Sequence, residues 1–384
     1  MASPAPPSET VLHPTARLIW EVCRRTPRPA AIEAAVAGGA DLELAVRAAI
    51  DHRLAGLLWR GLVTAGAGDA LGSSEASLRP LVDVYRMEAQ LLLPRAVSLA
   101  LTPLIDVGLE PVVLKGPALA IRYHDLGLRP MEDIDVLLPH WDHASALPAL
   151  TAAGWRVARS AEHDAYDTAL THPDVPSFAL ELHYGLESGS QRVTTLDPVR
   201  LWESRQPIDC LGVRAFGLPL EEEIVFLAAH AGKPHHSFVR LIWIADIATV
   251  VGAAEESGSG VDWTRVRQLA DAGSCLTVVA AALALAARAG VDAPGELFPL
   301  PQRGWRADAV SQLLDIEWPL THLDLPGYRL NAALTDKRSF RFRILLVLLG
   351  SGHGIGKRFW AMVDATARRR LHSKAATSSR PVTE

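Results

Sequence analysis

Three cysteines in 384 residues, Cys23, Cys210 and Cys275, are too few and too widely spaced for a disulfide framework or a zinc cluster. A reducing cytoplasm is the expected compartment. The opening MASPAPPSETVLHP is polar and proline-rich and lacks the apolar centre of a secretory signal. The most apolar run, ILLVLLG at 344–350, falls far short of the ~20 residues that a membrane helix needs. Neither export nor membrane insertion is therefore expected. No internal repeat is visible. A phosphate loop of the Walker type is missing as well: in LLVLLGSGHGIGKR, Ser351 stands where that loop needs glycine, and Arg358 where it needs a magnesium-binding Ser or Thr.

What is present is the composition of a globular protein, with 49% hydrophobic and 21% charged residues, in a chain long enough for two or three structural units. The formal charge of −5 hides an asymmetry: residues 337–384 carry eleven Lys/Arg against two acids, about +9, and the rest is about −14. Such a tail can touch nucleic acid, an anionic surface or the acidic body of its own chain, with nucleic acid not favoured.

Helical spacing with breaks at Pro27–Pro29 and Gly38–Gly39 predicts three short helices over 14–66, then a longer helix over 76–107 bent or divided at Pro94 and Pro103. The texture then changes to β-like runs, PVVLK, IDVLL, WRVARS and SFALELHYGL, alternating with helices. Past residue 218 it returns to helices. The expected organisation is a disordered 1–13, a helical region over 14–88, an α/β core over 89–215, a helical domain over 216–335 and a basic helical tail over 336–384 with a disordered end. The fold class is α+β.

The chemistry gathers around Asp133-Ile134-Asp135. In a strand these two carboxylates share one face, roughly 6–7 Å apart at Cα, an unfavourable pairing unless something positive lies between them. A hard divalent cation such as Mg²⁺ meets that need. The preceding strand ends at Gly116, with Pro117 opening a helix, a place where backbone N–H groups and the helix dipole favour a phosphate. In FALELHYGL the period of two puts Phe178, Leu180 and Leu182 on one face, and Glu181 and His183 on the other. Glu181 would complete a three-carboxylate site for two metals, and it or an aspartate could serve as general base. The bland alternatives are surface acids at a strand edge and a Lys115 that merely snorkels beside the strand end. Arg129 reads as a phosphate clamp or as a partner of Glu132 or Asp125. His230, Lys233, His235 and His236 form a basic cluster at a helix end, suited to a nucleotide contact. Asp246 has Arg240 within reach along the chain.

The segment VVLKGPALAIRYHDLGLRPMEDIDVLLP, followed by LELHYGL, resembles the uncharacterised nucleotidyltransferases of the DNA polymerase β-like superfamily, a group often encoded beside biosynthetic genes. HAGKPHHSFVRLIWIADI is similar to the helical region of that family at His230, Lys233 and Asp246. The resemblance implies a small mixed sheet with flanking helices. It also implies metal ligation by Asp133, Asp135 and Glu181, and phosphate or nucleotide contact by Lys115, Gly116, Arg129, His230 and Lys233; His183, beside Glu181 on the same face, reads either as a further nucleotide contact or as a structural neighbour. Gly116-Pro117 stands where the superfamily has Gly-Ser or Gly-Gly, which removes one phosphate-binding N–H.

The expected activity is transfer of a nucleoside monophosphate from an NTP to a small-molecule or protein acceptor. Pyrophosphate would be released, with Mg²⁺ as cofactor and Mn²⁺ as the substitute ion. Two other readings stand beside it: a nucleotide-binding relative without catalysis that works through a protein partner, and a helical interaction module.

Overall fold

The computed structural model describes residues 13–159, 166–187, 193–234, 236–315, 317–320 and 327–341. The first twelve residues, His235, and the Gly-rich run and basic tail from 342 onward, with the disordered ends and helical tail expected there, lie outside the described residues.

Four helices open the chain, one more than the periodicity predicts: α1 (Pro14–Val22), α2 (Pro29–Ala37), α3 (Leu42–Asp51) and α4 (Ala55–Thr64). Prolines at the first turns of α1 and α2 occupy positions whose N–H would have no helical partner. The Asp41 carboxylate caps α3 by accepting from Leu44 N at 2.9 Å. Next, α5 (Glu75–Met87) runs into α6 (Leu93–Asp106) through a π-helical turn, Glu88–Leu92. The interruption falls just before Pro94, which sits in the first turn of α6, and Pro103 lies inside α6 without dividing it. The wider turn before Pro94 accommodates a residue that has no N–H to give and whose ring would meet the Gln90 carbonyl in a regular helix.

The sheet has seven strands among the described residues: β1 (Val112–Val113), β2 (Asp133–Leu137), β3 (Arg156–Arg159), β4 (Asp167–Thr171), β5 (Ala179–His183), β6 (Gln206–Cys210) and β7 (Val213–Gly217). Between them lie α7 (Pro117–Ala120), α8 (His143–Ala152) and α9 (Pro198–Glu203). The order is β3-β4-β5-β2-β1-β7-β6, with β2–β5 and β1–β7 parallel and the other pairs antiparallel. Strands β4, β6 and β7 are absent from the sequence-based expectation. The β6–β7 hairpin turns at Leu211 (φ 52°) and Gly212 (φ 88°), where Asn-Gly or Asp-Gly would have been the recognisable signal.

One face of the sheet is apolar. Ile134 and Val136 of β2 and Leu180 and Leu182 of β5 are fully buried in a cluster with Ala96, Val97 and Leu101 of α6 and Leu150 of α8. After the sheet come α10 (Leu220–Ala231), α11 (Ile242–Glu256), α12 (Trp263–Ala272), α13 (Leu276–Arg288), α14 (Trp305–Leu313) and α15 (Gly327–Leu334). These helices share a second buried cluster with α1–α5, with Val112 and Leu137 of the sheet and with Leu114 just after β1. The helical stretches 14–88 and 216–335 are thus separate in sequence but joined in one core. His52 at the end of α3 shows the stitching: its Nδ1 accepts from Leu241 N at 3.3 Å, and its Nε2 lies 3.0 Å from the Pro319 carbonyl.

Candidate metal and nucleotide site

The polar side chains lie on the other face of β2 and β5. Parallel pairing sets Asp135 opposite Glu181 and Leu137 opposite His183, so Asp133, Asp135, Glu181 and His183 share a side. Asp135 is 1% exposed and receives a hydrogen bond on Oδ1 from His183 Nε2 at 2.9 Å; the same nitrogen is 3.6 Å from Glu181 Oε2. Asp135, Glu181 and His183 each offer a ligand atom within 4.8 Å of the others, the one such group found among the described residues.

The gap between the two aspartates holds a positive charge of the protein's own. The Lys115 ammonium donates to Asp133 Oδ2 at 3.0 Å and lies 2.8 Å from Asp135 Oδ2. The second contact is a close ion pair rather than a well-aligned hydrogen bond. Burial alone would lower the Lys115 pKa, but Asp135 and then Asp133 outweigh it and hold the ammonium above the ordinary lysine value. Burial would likewise raise Asp135, yet Lys115 and His183 bring it well below the usual carboxylate range. Asp133 is pushed up by burial and by Asp135, against the pull of Lys115. For His183, burial lowers the pKa and the Asp135 and Glu181 carboxylates more than restore it.

Gly116 has φ +62°, and a Cβ there would stand 2.9 Å from the Asp133 carbonyl, so close passage of the β1–α7 turn over β2 requires glycine. The helix expected to face a phosphate is the single turn α7, whose four residues are all buried. Its dipole is correspondingly small.

Arg129 does not pair with Asp125 or Glu132, which bind Arg86 and Arg53 instead. Its Nε and one terminal nitrogen grip Asp246 of α11 at 2.8 and 3.0 Å, both side chains being buried, and Tyr123 OH donates to the same carboxylate at 2.9 Å. Asp246 therefore pairs with Arg129 and not with Arg240. Arg129 ties the segment before β2 to the helical layer with two of its three guanidinium nitrogens.

The end of α10 closes over the polar face. Lys233 Nζ lies 5.3 Å from the ring centre of Tyr166, and Tyr166 stacks on His183 at 5.8 Å. Burial and the neighbouring Lys115 lower Lys233 to about 8. Burial, reinforced by Lys115 and Lys233, pushes His230 far below its ordinary value, so this imidazole is neutral near pH 7 and the expected basic cluster carries less charge than its composition implies. His230 packs among Phe226, His236 and Trp243.

Two residues outside the expected set also belong here. Asp167 of β4, 2% exposed, pairs in register with His183 and is neutralised by Arg159 of β3 at 2.8 and 3.1 Å; Arg159 also stands 3.8 Å from Glu181. A period-two reading of DTALT could have proposed the strand, but only its antiparallel register reveals that Asp167 joins this face.

No curated protein and no solved structure matches the chain. A family model described as uncharacterised nucleotidyltransferase does match it, over residues 38–289, about two thirds of its length. The match runs from the turn after α2 to the end of α13 and takes in every side chain of the site described above. On that match the chain belongs to the uncharacterised nucleotidyltransferase family.

Proposed function

We propose that the protein transfers a nucleoside monophosphate from an NTP to a hydroxyl- or phosphate-bearing acceptor, a small molecule or a protein, and that Asp133, Asp135 and Glu181 hold the divalent cation. The observation that carries this reading is the β2–β5 register, which aligns Asp135 with Glu181 and keeps Asp133 on the same face. The donor set fits a hard cation, since all three groups are carboxylates. When bound, Mg²⁺, or Mn²⁺ in its place, would neutralise triphosphate charge and lower the pKa of the acceptor hydroxyl.

His183 is better suited to orient Asp135 than to ligate. Its Nε2 carries the proton that Asp135 accepts, and ligation would strip that proton away. The other nitrogen, Nδ1, is buried without a hydrogen-bond partner, whereas a ligating imidazole usually has its second nitrogen anchored. Glu181, half-buried at the rim, takes the proton from the acceptor hydroxyl as its oxygen attacks the α-phosphorus and the bond to the β-phosphate breaks. Lys115 and Lys233 supply positive charge for the phosphates, and His230 contributes an N–H. Gly116 serves through its close packing on β2.

The test is incubation with each labelled NTP, Mg²⁺ and a broad acceptor panel, beside Asp133→Asn and Asp135→Asn. Pyrophosphate and labelled product from the wild type alone are expected. Nucleotide binding without either product would favour the non-catalytic relative, and thermal stability indifferent to both Mg²⁺ and NTPs would favour the interaction module.

A further inference from the structure

The position of Lys115 has a consequence for how the site is loaded. Its ammonium lies between Asp133 Oδ2 and Asp135 Oδ2, within 3.0 Å of both. A cation held at about 2.0–2.6 Å by these oxygens would sit almost where the ammonium now sits, so the two cannot share the position. Asp135 gives the plainest case. Its Oδ1 is committed to His183, while Oδ2 is buried, has no well-aligned hydrogen bond and is held by the charge of Lys115.

The ammonium cannot simply step aside. The Lys115 side chain is 11% exposed, and the backbone beneath it is fixed by the passage of Gly116 across Asp133. Near this face stands a second cation: Lys233 Nζ lies 5.3 Å from the ring centre of Tyr166, which stacks on His183. A buried ammonium that leaves two carboxylates needs another anion to receive it. The triphosphate of an NTP is such an anion, and both lysines bear on the place where it would lie.

We propose that Lys115 is an exchangeable counter-ion of the metal site: it neutralises Asp133 and Asp135 until a nucleotide triphosphate draws it off, so that metal and nucleotide enter together. The proposal rests on the reading of Asp133 and Asp135 as metal ligands. It adds that the metal alone competes with a residue of the protein. Binding of either partner then favours the other, as linkage requires.

The test is direct binding of Mn²⁺ without nucleotide, followed by the loss of the free-ion paramagnetic resonance signal, for the wild type, Lys115→Met, Asp135→Asn and the double variant of both. Lys115→Met is expected to bind Mn²⁺ roughly tenfold or more tightly than the wild type, and the gain to vanish when Asp135→Asn is added. If wild-type binding is sensitive to Asp135→Asn but Lys115→Met leaves it unchanged or weaker, the exchange is overturned while the metal ligands stand. If no form shows Mn²⁺ binding sensitive to Asp135→Asn, the metal reading falls and takes the exchange with it. Should Lys115→Met fail to fold, Lys115→Met/Asp133→Asn, which removes one charge of each sign, is compared with Asp133→Asn alone. Tighter Mn²⁺ binding by the double variant supports the exchange, and equal or weaker binding overturns it.

Discussion

The two faces of one sheet, built from alternate residues of the same strands, have opposite physics. Ile134, Val136, Leu180 and Leu182 bury their whole surface against α6 and α8, where shape and apolar area are all that matter. One residue away along each strand, Asp133, Asp135, Glu181 and His183 face the helical layer and are held by charge: Lys115 between the aspartates, His183 between Asp135 and Glu181, Arg159 beside Asp167. A buried carboxylate is tolerable only with such partners. The apolar face thus fixes the strand register, and the register assembles the polar face.

Substitutions that break one face and spare the other sharpen this contrast. The largest effect is expected at Asp135→Asn, which keeps the side-chain shape but removes the charge. Pyrophosphate release should fall by about 10³-fold or more, with the variant still folded by circular dichroism. Next comes Arg129→Ala, which strands the buried Asp246 carboxylate. A loss of about 3–5 kcal/mol in denaturant unfolding is expected, and Arg129→Met/Asp246→Leu should recover most of it, short of the hydrogen bond from Tyr123. Unchanged stability together with lost nucleotide binding would instead make Arg129 a phosphate clamp. Leu180→Ala, on the apolar face, should cost about 2–5 kcal/mol while the metal affinity of the folded fraction stays near wild type.

How far the sequence exposes this arrangement depends on the range of each interaction. The alternation in IDVLL and FALELHYGL is local, so both strands and the shared face of Asp133, Asp135, Glu181 and His183 are legible from spacing. Register is not local: that Asp135 meets Glu181 rather than Ala179 is decided by the packing of Leu180 and Leu182. The Arg129–Asp246 pair spans 117 positions, whereas Asp125 and Glu132 lie within four residues of Arg129 along the chain. Lys115 stands two places beyond the last paired residue of β1, where the chain turns at Gly116, so no strand period predicts that its ammonium falls between the aspartates. The β6–β7 hairpin was hidden because a leucine occupies a left-handed position there.

The smallest effect concerns the helix that covers the polar face. Glu223 of α10 is 3% exposed and pairs with Arg122 at 2.5 Å, tying the chain just after α7 to the helical layer. Burial nevertheless outweighs Arg122 and lifts this carboxyl to about 7 from an ordinary 4.5. Between pH 4.5 and 7 the unfolded chain has already released this proton while the native state retains it. The native state therefore binds more protons in that window, and the contribution of Glu223, complete below pH 4.5, is lost as pH rises through 7. Glu223→Gln, which cannot ionise, should remove this part of the pH dependence. The stability difference between pH 5 and pH 8 should then differ from that of the wild type by on the order of 1–3 kcal/mol. Unfolding curves measured across that range would decide it. If the two proteins lose stability in parallel, Arg122 keeps Glu223 ionised throughout, and the polar side of the sheet is compensated by ion pairs as far as α10.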